Sequence, residues 1–113
     1  MIQSYNKYRN QRTCVDGRFF DSKREARRFT ELQLLQRAGE ISDLQTQVSY
    51  QLIPSQKRQH GKAEKAVHYI ADFVYKTRDG ETVVEDAKGA KTPEYIIKRK
   101  LMLLVYGIEI REV

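Results

Sequence analysis

Tyr69-Ile70-Ala71-Asp72-Phe73-Val74-Tyr75, a turn at Asp79-Gly80, and then Thr82-Val83-Val84-Glu85-Asp86-Ala87-Lys88-Gly89 decide how this chain folds. Both runs are dense in β-branched and aromatic residues, so each reads as a strand, and the Asp-Gly pair reads as a hairpin turn. Apolar side chains fall on both faces of both strands, which makes them central strands with cover on each side. Into these runs the sequence sets Asp72, Asp86 and Lys88, ionised groups that are costly to bury unless something pairs with them. Asp86 and Lys88 are two apart and share a face on a strand. Two carboxylates and an ammonium on one patch of sheet suit a divalent cation beside a phosphate.

The segments on either side complete a layered pattern. Upstream, Thr13-Cys14-Val15 and Arg18-Phe19-Phe20 flank Asp16-Gly17, which predicts a small hairpin. Asp21 and Ser22 then open a helix that runs to about Ala38 and stops at Gly39. Ala26, Phe29, Leu32, Leu35 and Ala38 form its apolar stripe, with Lys23, Arg24, Arg27, Arg28 and Arg37 mostly off it. A strand from Leu44 to Ile53 follows, in which Val48, Tyr50 and Leu52 alternate with polar residues and which Pro54 ends. Residues 55–65 form an exposed, mobile basic loop. Downstream of the central strands, Thr92 caps a second helix, with Pro93 and Glu94 in its first turn. Its stripe is Ile97, Leu101, Leu104 and Val105, with Lys98, Arg99 and Lys100 around it. Tyr106-Gly107 ends that helix, and Ile108-Glu109-Ile110 is a last short strand. The order hairpin, helix, three strands, helix, strand predicts an α/β (α+β) fold, a mixed central sheet flanked by helices.

Composition narrows the function. Residues 1–12 are polar, basic and tyrosine-rich without a period, and read as a flexible arm ahead of one domain over residues 13–113. A domain of that size buries roughly 65% of its unfolded surface and folds without staples. No apolar run approaches the ~20 residues of a membrane span, and the polar N-terminus does not read as a signal peptide. Cys14 is the only cysteine, which excludes an intrachain disulfide and a thiolate zinc cluster. A reducing, cytoplasmic compartment fits best. With 21 basic residues against 15 acidic, a net charge of +6 favours a polyanionic partner, nucleic acid before membrane.

Hydrolysis of a phosphodiester needs an activated water, stabilised charge at phosphorus and help for the leaving oxygen, which magnesium held by two or three carboxylates supplies. Asp72 and Asp86 on paired strands could bridge such an ion, with Lys88 one pleat further on. Glu25 is the third acid, because it shares the first helix's stripe with Phe29 and Leu32. Other readings of these residues stand beside this one. Ser22 to Glu25 fits a capping box, and Asp86 with Lys88 fits a structural ion pair. Glu85 reads as a rim residue on the opposite face from Asp86, unless a one-residue bulge swaps the two. His60 and His68 are too isolated to be ligands, although His68 shares the Asp72 face. Cys14 reads as a half-buried thiol.

Ala71-Asp72-Phe73 followed by Glu85-Asp86-Ala87-Lys88-Gly89 resembles the PD-(D/E)XK nuclease superfamily, with Ala71 where the motif name has proline. More narrowly, Val15-Asp16-Gly17, Phe20-Asp21-Ser22-Lys23, Glu25-Ala26 and Gly39-Glu40-Ile41-Ser42-Asp43-Leu44 resemble a family of small uncharacterised phage and prophage proteins assigned to that superfamily. The resemblance runs from about residue 13 to 110. It implies a restriction-endonuclease-like core and an Mg2+ (or Mn2+)-dependent DNA endonuclease in a bacterial host cell, serving phage or mobile-element DNA. Asp72, Asp86 and Glu25 would bind metal, Lys88 would position the attacking water, and Gln47, with Gln45 as the fallback, would support the site. A resolvase-like preference for branched DNA such as a Holliday junction, read by a homodimer, is implied too. Arg9, Arg12, Lys57, Arg58, Lys62, Lys91, Lys98 and Arg99 would hold the DNA backbone. The alternatives are a nickase or exonuclease of the same fold, or a nucleic-acid-binding protein without catalysis.

Overall fold

The computed structural model describes residues 13–113. A hairpin of β1 (Thr13–Val15) and β2 (Arg18–Phe20) leads into helix α1 (Lys23–Arg37). Strands β3 (Ile41–Ile53), β4 (Val67–Thr77) and β5 (Thr82–Asp86) follow, then helix α2 (Pro93–Tyr106) and strand β6 (Arg111–Glu112). The main sheet is ordered β3-β4-β5-β6, antiparallel except for the parallel β5–β6 pair. It is therefore mixed, and β4 and β5 are its interior strands, as their two-faced apolarity requires.

Local chemistry explains the punctuation. Asp16 and Gly17 both take positive φ (50° and 77°), the backbone of a two-residue hairpin turn. Between β4 and β5 the turn is longer: Thr77 N–H donates to Glu81 O and Gly80 N–H to Thr77 O, with Gly80 left-handed at φ 84°. Ser22 caps α1 by accepting from Glu25 N–H at 3.1 Å. At its far end Gly39 N–H bonds Gln36 O and Glu40 N–H bonds Leu35 O, the paired bonds of a Schellman stop. Thr92 caps α2 through Tyr95 N–H, and left-handed Gly107 ends it.

Two apolar clusters cover the sheet. Phe20, Ala26, Phe29, Leu32, Ile41, Phe73, Tyr75 and Val83 pack on the α1 side. Leu52, Tyr69, Ala71, Val74, Val84, Tyr95, Met102 and Ile110 pack on the α2 side. Strict alternation along β4 would put Tyr69, Ala71, Phe73 and Tyr75 on one face. Instead the first two join the α2 cluster and the last two the α1 cluster, so the strand exchanges faces at Asp72.

Several boundaries differ from the sequence reading. Strand β5 ends at Asp86, so Ala87, Lys88 and Gly89 lie beyond it. The final strand is Arg111–Glu112 and not 108–110, because buried Ile110 serves the core before the chain pairs with Glu85 and Asp86. Helix α1 buries only Glu25, Ala26, Phe29 and Leu32, and the expected stripe members Leu35 and Ala38 are exposed. Helix α2 is turned from its expected orientation: Tyr95 and Met102 face the core while Ile97, Leu104 and Val105 are exposed. An aliphatic stripe misled because the anchor is a tyrosine, whose hydroxyl donates to Glu112 on β6 at 2.7 Å. Cys14 is exposed, not half-buried.

Candidate active site

The β4–β5 register pairs Phe73 with Glu85 and Val74 with Val84, and one further step sets Asp72 opposite Asp86. The β3–β4 register pairs Thr46 with Phe73 and Val48 with Ala71, which puts Gln47 opposite Asp72 on the other side. Gln47 holds a left-handed backbone at φ 54° in mid-strand, an uncommon state for a residue with a side chain. Its amide Nε2 donates to Glu25 Oε1 at 2.9 Å, which ties the first turn of α1 to the sheet. The sheet thus lines up Gln47, Asp72 and Asp86 across three strands, with Glu25 reaching in from the helix.

Each carboxyl has one oxygen held by a donor from elsewhere in the chain. Ala87 N–H donates to Asp72 Oδ2 at 2.8 Å, and Tyr69 OH to Asp86 Oδ2 at 2.6 Å. Asp86 Oδ1 is buried and takes no hydrogen bond; the Lys88 ammonium is 3.3 Å away, an ion pair outside hydrogen-bond geometry. Lys88 Nζ also stands 4.8 Å from the centroid of the Tyr95 ring, a cation–π contact that steadies its flexible stem. Tyr95 is held in turn by Glu112, which also meets Arg99 Nη1 at 3.0 Å and Lys91 Nζ at 3.3 Å.

Crowding of acids leaves its mark on protonation. Glu25 is pushed up to about 7, by burial first and then by the charges of Asp72, Asp21 and Asp86. Asp72 is pushed up to about 6, by burial and then by Asp86, while the Ala87 N–H and the Lys88 ammonium pull it down. Burial and the bond to Asp86 raise Tyr69 well above the usual phenol range. Among the described residues no three His, Cys, Asp or Glu side chains converge closely enough to enclose a metal ion. Asp72, Asp86 and Glu25, expected as a three-acid centre, stand as an open row in which the Gln47 amide holds Glu25. The donor set nevertheless suits a hard cation. All its donors are oxygens, magnesium keeps several waters of its own, and Asp86 Oδ1 is buried with no hydrogen bond, its neighbour of opposite charge being the Lys88 ammonium.

Other predicted residues are placed as follows. Gln47, not the fallback Gln45, makes the bond to Glu25. Glu25's own N–H serves the Ser22 cap, but its carboxylate bonds Gln47 on the sheet and not the helix start, so the Ser22 half of the capping box forms without the Glu25 half. Glu85 is no rim residue. It is fully buried, accepts Arg28 Nε and Nη2 at 2.8 Å each, and accepts the Tyr75 hydroxyl. It lies off the Asp86 face, as expected. His68 is exposed and pairs across strands with Gln51. Of the anticipated backbone contacts, Lys57 and Lys62 are exposed in the 55–65 loop, which a bridge between Gln56 and Glu64 closes. Arg58 faces Glu64 at 3.7 Å and Lys98 faces Glu94 at 3.1 Å, while Lys91 and Arg99 serve Glu112. These four are drawn into the protein's own ion pairs. Arg9 and Arg12 lie outside the described residues. The sequence reading missed Tyr69, Tyr95 and Glu112 as supports. The signal for Tyr69 was present, since a tyrosine within a buried strand needs a partner for its hydroxyl.

Among the described residues no helix is long and apolar enough to cross a membrane. No curated protein and no solved structure matches the chain. Residues 5–111 match a family described as protein of unknown function (DUF1064). Nearly the whole of the chain is covered by that match, and the protein belongs to this family.

Proposed function

We propose that the protein is a metal-dependent DNA endonuclease of PD-(D/E)XK type, selective for branched DNA and acting as a homodimer. The observation that carries this reading is the closeness of Asp72 to Asp86 beside the Lys88 ammonium, with Asp86 Oδ1 buried and without a hydrogen bond. Buried like charges set side by side are unfavourable unless a cation joins them. Asp72 and Asp86 would hold Mg2+ or Mn2+, with Glu25 completing the acid set. Such a cation makes water more acidic and offsets negative charge at phosphorus.

The chain's own residues would do the rest. Tyr69 fixes Asp86 by one oxygen so that the other points at the ligand. Ala87 N–H does the same for Asp72. Lys88, steadied over Tyr95, would orient the attacking water and offset charge as phosphorus gains its fifth oxygen. Gln47 would keep Glu25 turned inward. The second copy of the chain would cover the outward face of α2, where Ile97, Leu104 and Val105 stand 59%, 80% and 48% exposed.

The test is a panel of linear duplex, single-stranded, flap and four-way DNA, each with Mg2+, with Mn2+ and with chelator. Cleavage that needs the metal and favours branched DNA is expected, with Asp72→Ala and Asp86→Ala abolishing cutting while still binding the junction. Parental cutting by both variants would overturn the assignment, and binding without cutting by the parent would leave a non-catalytic DNA-binding protein.

A further inference from the structure

Beside the acid row lies a second feature that the proposed chemistry does not use. A cleft of about 390 Å³ is lined by Arg24, Arg27, Arg28 and Glu31 of α1 and by Val113. The four helix positions are spaced i, i+3, i+4 and i+7, so they share one face. The two acids at hand are already taken. Arg28 spends Nε and Nη2 on Glu85 and Nη1 on Glu31, at 2.8, 2.8 and 2.9 Å. That leaves Arg24 and Arg27, both exposed, with no ion-pair or hydrogen-bond partner among the described residues. Most small-molecule pockets of this volume are lined by apolar groups. This one is lined by guanidinium groups, whose forked donors match the oxygens of a phosphate.

We infer that this cleft seats a backbone phosphate of the DNA strand that crosses the acid row, held by Arg24 and Arg27. The placement argues for a nucleic-acid phosphate over a free one. Arg24 directly precedes Glu25, and Val113, which also lines the cleft, donates its N–H to Asp86 O at 3.0 Å. A strand passing over Glu25, which reaches the acid row from the same α1 side that the cleft occupies, would therefore bring a flanking phosphate to the cleft. Arg28 is the cleft's fixed wall, its charge already matched by Glu85. The inference rests on the proposed DNA substrate but not on catalysis.

The test is equilibrium binding of four-way DNA in chelator across a salt series, for the parent, for R24Q/R27Q and for K23Q/R37Q. The last pair removes the same charge from exposed sites of α1 outside the cleft. Each phosphate contact contributes about 0.9 to the slope of log affinity against log salt. R24Q/R27Q should lower that slope by about 2 and the affinity by on the order of tenfold to a hundredfold at ~0.1 M salt, while K23Q/R37Q should shift it by less than about 1. Equal shifts in the two variants, or none in R24Q/R27Q, would overturn the cleft. So would loss of orthophosphate binding in R24Q/R27Q with DNA binding intact. A parent that binds through the cleft yet never cuts with metal supports the cleft and sinks the nuclease reading; a parent that cuts while R24Q/R27Q binds normally does the reverse.

Discussion

Glu25 carries more constraints than any other residue of the site. Its N–H closes the helix cap, its carboxylate accepts from Gln47, and its proton affinity is raised to about 7 by burial and by Asp72. Raised acids give the folded state extra protons between their ordinary and their shifted pKa, so the stability they contribute is full at low pH and lost as pH rises. For Glu25 the window runs from 4.5 to about 7, and for Asp72 from 3.8 to about 6. Without divalent metal the protein should therefore be less stable at pH 8 than at pH 5, by about 1–3 kcal/mol. Urea unfolding at both pH values checks this, and Glu25→Gln should remove most of the difference. Unchanged stability across the window would mean that these acids are already ionised near pH 5. Neither shift was legible from the sequence, because spacing shows which acids share a stripe but not how little water reaches them.

Among the elements, β3 and α2 teach the most. Gln47 sits in the left-handed region within a strand, where glycine would rest without strain. Gln47→Gly is expected to keep stability or raise it by up to about 1 kcal/mol, through relief of that backbone. It should nevertheless lower the cleavage rate, because Glu25 loses its donor. A thermal melt and a single-turnover assay separate the two effects, and a variant that is markedly less stable would show that the amide's bond to Glu25 outweighs the strain. The caps, the turns and the central strands were legible because each depends on neighbours in sequence: Ser22, Gly39, Asp16-Gly17, Thr92-Pro93. The rotation of α2 was not, since it is decided by Tyr95 meeting Glu112, seventeen residues away. The burial of Glu85 escaped for the same reason, its partner Arg28 being 57 residues distant.

For the molecule as a whole, the sheet separates two chemistries. One side of β5 holds Asp86 with Tyr69 and Lys88; the other holds Glu85 with Arg28 and Tyr75. Asp72 and Asp86 face each other across β4 and β5 and Glu25 approaches them from α1, while among the described residues no three such acids converge closely enough to enclose a metal ion. Outward from this, α2 presents aliphatic side chains to solvent, led by Leu104 at 80% exposure. If a second copy covers them, Leu104→Glu should convert a dimer into a monomer in sedimentation at micromolar concentration, with little change in the melting of the monomer itself. A parent that sediments as a monomer at every concentration would remove the homodimer from the proposal.

The Ser22 cap has a consequence for how the site would be lost on warming. The end of a helix frays before its middle, and here the fraying turn carries one of the acids. Local melting of three or four residues would swing Glu25 away from Gln47 and take Ala26 out of the α1-side cluster, leaving Phe29 and Leu32 in place. Ser22→Ala is therefore expected to free the Glu25 carboxylate from Gln47 at a lower temperature than that at which the fold itself gives way.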